Sequence, residues 1–370
     1  MKYNNKIYFL FILFSVFLRF GEGWGGASFA QNKNIDSLLI LLKKDQPDAN
    51  KVTHFNKLSK EYLNIDFYDS AIYFANQALA LANYLPFEKG RGWEVGVADA
   101  AANLGIIYLS QDNYSGAIDH FLKSLKIYEK LKNKHRIANL KGNIGIVYKK
   151  QGEYLKALEY YFNAQKLYEE MGDKIDIAVN FGNIANVYRQ QSEYTKALKY
   201  YFESQKIYEE LELKKNIGLT FGNIGGVYFN QGDYPKALEY IFHSLRIAEE
   251  LGDKRGTATH LGNIGNVFQD QARAITTSHK KSDELFSKAL AYYFKALKMH
   301  EELGSKNFVA SNINRISSVY ACMKKYKEAF DYSYQALTLS ENIGAKEIVK
   351  DCYNNLSLLY ENSTIPLPDS

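Results

Sequence analysis

A six-residue motif recurs five times at a fixed interval of 40 residues. It reads Asn103-Leu104-Gly105-Ile106-Ile107-Tyr108 and returns at Asn143–Tyr148, Asn183–Tyr188, Asn223–Tyr228 and Asn263–Phe268. A period this long implies one supersecondary unit stacked on copies of itself. Each unit of such an array buries its apolar face against its neighbours. The 370 residues therefore need not divide into two or three ordinary domains. The array offers a long surface rather than an enclosed reaction pocket.

Residues 136–172 show how one unit is built. Ile137, Leu140, Ile144, Val147 and Tyr148 follow the period of a helix. Gln151-Gly152-Glu153 interrupts it. A second helix begins near Tyr154, with Ala157, Leu158, Tyr161, Leu167 and Tyr168 on its buried side. Gly172 suits a helix C-terminus and Asp173 can cap the helix that follows. With 30 Tyr and 22 Phe but only 5 Pro, the composition suits long helices packed through aromatic rings.

The pairing of Ile144-Gly145 and Tyr148 with Ala157 and Tyr161 resembles the tetratricopeptide repeat, whose usual period is about 34 residues. Here the period is 40 and the late Pro of that family is missing. The chain resembles the long-helix variety found in peptide-binding scaffolds and in exported regions of bacterial signalling proteins. The resemblance implies an all-α fold, a right-handed superhelical solenoid of antiparallel helix pairs over residues 51–361. Lys57–Tyr62 opens the first repeat, with extra residues expected around Pro86–Gly92. Arg315–Tyr320 follows Asn263 after an insertion placed within Ala272–Asp283, read as a loop projecting from one edge. Asn355–Tyr360 gives a last first-helix without a partner. That makes seven repeats plus one unpaired helix, preceded by a helical segment at 31–50 and followed by a tail at 362–370. The unpaired helix is expected in a truncated product, a fragment or a dimer contact.

Residues 1–30 have the form of an export signal. Lys2 and Lys6 precede an apolar run from Ile7 to Leu18, and Ser28-Phe29-Ala30 or Ala27 offers a cleavage site. A membrane span needs about 20 apolar residues. The expectation is an exported protein of the periplasm or cell envelope, with membrane association if the signal stays uncleaved. Cys322 and Cys352 are read as packed thiols.

The resemblance places the first helices on the concave side. Numbering each unit so that Leu104 and its equivalents are position 7, positions 7, 10 and 11 face the core. Positions 2, 6, 9 and 13 form a second stripe along the helix. Position 6 is Asn103, Asn143, Asn183, Asn223 and Asn263. Each amide offers a donor and an acceptor, so a row of them could hold an extended peptide backbone, or brace neighbouring helices. Asn186 and Asn266 at position 9, with Lys150 and Arg189 at the basic end of the groove, complete the candidate peptide-binding set. The opposite end, with Asp270, reads as mildly acidic. Position 5 is Gly142, Gly182, Gly222 and Gly262, each costing about 1 kcal/mol inside a helix. Close packing of first helices, the approach of a ligand backbone, or recent duplication of closely similar repeats would account for them.

Other classes find little support. Charges total 46 basic and 41 acidic residues, interspersed on helix faces, and no basic stripe points to nucleic acid. The seven His are scattered without metal-ligand spacing, and no P-loop is present. No catalytic residue, metal or cofactor is assigned. The expected function is a non-catalytic scaffold that binds an extended peptide or helix of a protein partner. The alternative is the sensor region of a signalling receptor whose kinase, cyclase or transcriptional output lies outside this chain.

Overall fold

In a computed structural model of the protein, residues 33–84 and 92–362 are described. The export signal, most of the stretch around Pro86–Gly92 and nearly all of the tail lie outside the described residues. The described chain forms sixteen α-helices and no strand. It divides into two compact units, residues 1–131 and 132–370. The first unit holds α1 (Lys33–Lys44), α2 (Ala49–Asn64), α3 (Tyr68–Tyr84), α4 (Gly92–Ser110) and α5 (Tyr114–Lys130). The second begins with α6 (Lys134–Lys150), α7 (Tyr154–Met171), α8 (Lys174–Gln190), α9 (Tyr194–Glu210), α10 (Lys214–Asn230) and α11 (Tyr234–Glu250). It continues with α12 (Lys254–Ala274), α13 (His279–Glu302), α14 (Lys306–Cys322), α15 (Tyr326–Asn342) and α16 (Lys346–Asn362).

Within each unit, successive helices pack as antiparallel pairs, α2 with α3, α4 with α5, and α6 with α7 through α14 with α15. Short polar links end one helix and start the next. Asn133, Asp173, Asp233 and Asp253 each accept a hydrogen bond from the backbone N–H three residues on, satisfying a donor that the first helical turn leaves open. The links turn through a left-handed residue. Gly152 and Gly232 take this shape freely, whereas Ser192 and Glu212 adopt it with φ of 59° and 53°.

The core of the second unit repeats with the motif. Ile144, Ile184, Ile224 and Ile264 at position 7, with Val147, Val187, Val227 and Val267 at position 10, are buried. At position 11, Tyr148, Tyr188, Tyr228, Phe268 and Tyr320 each stack on an aromatic ring of the paired helix, at centroid distances between 5.4 and 5.7 Å. Tyr200 touches Tyr188 of its own repeat and Phe181 and Phe162 nearby, so the rings also tie one repeat to the next. This ring ladder is where much of the Tyr and Phe content goes. Position 8 has no room for a side chain in three repeats. A Cβ on Gly145 would lie 2.8 Å from the Tyr161 ring, and one on Gly265 would lie 2.7 Å from the Tyr293 ring.

Two expectations need correction. The residues inserted within Ala272–Asp283 do not form a projecting loop. They lengthen α12 to 21 residues and α13 to 24, against 17 for most of the other helices, and leave only 275–278 between them. Ser278 caps α13, and Arg273 folds back to donate to Ser318 Oγ of α14 at 2.8 Å. The second concerns Gly142 and Gly182. Nothing lies within 4 Å of a Cβ built on either, so close packing of first helices does not explain them. Both cysteines are free thiols, and burial pushes Cys352 up to about 11. Among the described residues no helix is long and apolar enough to cross a membrane.

Candidate functional site on the inner face of the second unit

Where alternate helices of the second unit approach each other, they are first helices: α6 with α8, α12 with α14, and α14 with α16. The stack therefore curls toward that side, and the first helices line its inner face. A cavity of about 360 Å³ opens there between α8, α10 and α12. Arg189 comes from α8. Leu219, Gly222, Asn223, Gly226, Phe229 and Asn230 come from α10, and Thr259, His260, Asn263, Asn266 and Val267 from α12, with Ile241 of α11 at the back. Four amides and several apolar groups thus share one recess, and no carboxylate lines it. A wider depression lies along α13 at Lys280, Asp283, Glu284, Ser287 and Lys288, but it is the open flank of a single helix.

The Asn row is not uniform. Asn103, in the first unit, donates to the Asn56 carbonyl at 3.1 Å and so braces α4 on α2. Asn355, late in the second unit, donates to Ser317 Oγ at 3.1 Å and to Asn314. Between these extremes, the side chains of Asn143, Asn183, Asn223 and Asn263 are half-buried and make no hydrogen bond to the protein among the described residues. The cavity brings together Asn223, Asn263, Asn266 and Arg189 from the candidate set. Asn186 is committed elsewhere. It donates to Gly182 O at 2.9 Å and accepts from the Tyr201 hydroxyl at 2.7 Å, which gives it a bracing place in its own repeat. Asn266 likewise accepts from the Tyr293 hydroxyl at 2.7 Å, while still facing the cavity. Lys150 sits exposed at the end of α6.

Sequence reasoning missed His260. It is buried in the cavity wall, with Nε2 2.9 Å from Ser244 Oγ. Ser244 gives its own proton to Gly218 O at 2.6 Å, so His260 must be the donor in their shared bond. A Cβ on Gly222 would lie 3.1 Å from the imidazole, which explains the Gly at that position only. Burial holds the His260 pKa below the usual histidine value, with Asp253 opposing, and burial does the same for His120 and His300. The folded state thus favours neutral rings, and the unfolded chain takes up protons first, near pH 6.5. Stability is expected to fall as pH drops below about 6.5. A urea midpoint that stays flat between about pH 7.5 and 5.5 would contradict this, and His260→Gln should flatten part of the slope.

Electrostatics differ along the face. Burial holds Lys149 below the usual lysine value, with repulsion from Arg189 and Lys150 adding to it. At the other end the expected acidic character is spent internally, since Asp270 pairs with Arg273 at 3.3 Å and Gln269 donates to Ser318. His135 lies 3.1 Å from Asp176 and 3.8 Å from Asp173, a grouping with metal-ligand chemistry. Its Nδ1 accepts from Asn139, which in turn accepts from the Tyr168 hydroxyl. That leaves the proton on Nε2, facing Asp176, so the group is satisfied as a hydrogen-bonded tie between α6 and α8.

These features define a helix-pair repeat protein with an open, amide-lined inner surface. Family models described as tetratricopeptide repeat match residues 97–131, 136–210 and 216–275, so the chain carries tetratricopeptide repeats over these stretches. No curated protein matches the sequence. Among solved structures, the apo form of RapI is similar at 16% identity and a TM-score of 0.58, over 80% of this chain and 99% of that one. Aspartyl phosphate phosphatase F from Bacillus subtilis is similar at 12% identity and a TM-score of 0.55, over 94% and 99%. The Rap conjugation gene regulator of plasmid pLS20, in complex with the Phr* peptide, is similar at 13% identity and a TM-score of 0.50, over 91% and 98%. At these identities the likeness concerns the fold.

Proposed function

We propose that the protein is a non-catalytic interaction scaffold that holds an extended peptide segment of a protein partner on the inner face of its second unit. The observation that carries this reading is the run of half-buried Asn143, Asn183, Asn223 and Asn263, whose amides the protein leaves unused. An amide kept partly from water without a protein partner forgoes hydrogen-bond energy, and an extended backbone supplies both partners it lacks. Gly142 and Gly182 beside two of these Asn leave open space in which such a backbone can lie close. A neighbour of the same fold, the pLS20 regulator, was solved with a peptide bound.

The test is an array of immobilised random decapeptides probed with the full chain. The Asn183→Ala, Asn223→Ala, Asn263→Ala triple variant should keep its helicity and melting temperature, because no protein hydrogen bond is lost. It should lose most of the array signal. Unchanged binding by the variant sinks the Asn row as the contact, and an unaltered chain that retains no peptide sinks the peptide reading.

The export form of residues 1–30 adds that the scaffold works in the periplasm or cell envelope, which the intact mass of the chain from an envelope fraction checks. In a longer receptor the same face would serve as the sensor surface.

A further inference from the structure

The inner face carries positive charge that the protein does not match. Some exposed lysines are paired close by, as Lys156 is with Glu153, Lys196 with Glu193 and Lys236 with Asp233. Lys149 and Arg189 make no ion pair among the described residues. They occupy the same place in consecutive first helices, α6 and α8, and both are half-buried. Two like charges held near each other and partly away from water cost free energy, and an anion between them would recover it.

Arg189 has a path built for it. Its Nη1 lies 3.0 Å from the point where a Cβ on Gly226 would stand, so the guanidinium crosses from α8 onto α10 over a residue with no side chain. Position 9 is Ile106, Ile146, Asn186 and Asn266 in the other four copies of the motif, so Gly226 departs from the pattern where Arg189 needs the space. Arg189 then forms one wall of the cavity and is its only permanently charged lining group. Phe229 holds on α10 the place that Lys149 and Arg189 hold on α6 and α8, and it lines the same recess as a half-buried apolar ring.

We propose that the bound segment is acidic: a Glu or Asp carboxylate seats against Arg189 and Lys149, and an aliphatic side chain about three residues away lies on Phe229. The spacing follows from helix axes about 8–10 Å apart and an extended chain advancing about 3.3–3.6 Å per residue. This deepens the peptide-binding reading and rests on it. A guanidinium meets a carboxylate through two parallel hydrogen bonds, which gives both affinity and register. One guanidinium in a recess of amides and apolar groups, with Lys149 on the neighbouring first helix, suits one carboxylate on a peptide better than a chain of phosphates.

The test uses the same decapeptide array, followed by anisotropy titration of the best retained peptides with the full chain. Retained peptides should be enriched in Glu or Asp with Leu, Ile or Val about three residues away. Arg189→Gln should weaken them at least tenfold, Arg189→Lys should weaken them less, and higher salt should weaken the unaltered chain. Arg189 has no protein partner to lose, so melting temperature should hold, and Lys149→Gln gives a second reading should Arg189→Gln unfold. Retained peptides without acidic enrichment, or full binding by both Gln variants, overturn the acidic seat while leaving the peptide reading intact. If the array retains nothing, both fail. Tighter binding of a labelled oligouridylate than of any peptide also overturns the proposal.

Discussion

Tyr293→Ala is expected to lower stability by about 3–5 kcal/mol, the range for emptying a buried aromatic site. The Tyr293 side chain is fully buried, its ring lies on Gly265, and it shares a core with Leu285, Phe286, Ile316 and Val319. Its hydroxyl donates toward Asn266 and Gln269, each at 2.7 Å. Tyr293→Phe keeps the ring and strands those acceptors, for an expected loss of about 1–2 kcal/mol. The equivalent Tyr161 is equally buried, but its hydroxyl has no partner, because Ile146 stands where Asn186 and Asn266 stand in other repeats. Tyr161→Phe should therefore be neutral or stabilising. Urea unfolding of the three variants decides the matter. A Tyr161→Phe loss as large as that of Tyr293→Phe would show that the hydroxyl inventory is wrong.

The second large effect separates two kinds of glycine. Gly142→Ala and Gly182→Ala should each raise stability by about 1 kcal/mol, since the new methyl enters open space and helix propensity improves. Gly265→Ala should lower it by about 1–3 kcal/mol, because its methyl would meet the Tyr293 ring at 2.7 Å and that ring is walled in. Thermal melts of the three variants check the signs. If position 5 receives a ligand backbone, the first two variants should also bind array peptides less well while melting higher. Opposite movement of stability and binding is the mark of a residue kept for contact rather than for folding.

How far these features could be read from the residues depended on distance along the chain. Helices, links and the core stripe of Ile and Val follow from the period, because they arise within one repeat. The commitments of individual side chains do not. Asn186 looked like Asn183 until Tyr201, 15 residues away, claimed its oxygen. Gly142 and Gly145 are both glycines in one helix, yet only Gly145 lies under a ring. His260 was passed over as one of several scattered histidines, and its place became visible only through Ser244 on the neighbouring helix. The insertion was misread because its polar residues suit a loop, whereas a whole number of added turns lets both helices continue in register.

That lengthened pair has a consequence for any ligand that lies along the stack. Asn143, Asn183, Asn223 and Asn263 are related by a shift of 40 residues, so for them alone every one-repeat displacement of a bound chain is equivalent. A track with such translational symmetry can grip but cannot give an address. The longer α12 and α13 end that symmetry, as a zero mark does on a ruler, by extending about 6–10 Å beyond their neighbours at 1.5 Å per residue. Positions along the second unit can then be counted from that mark, and its repeats cease to be interchangeable.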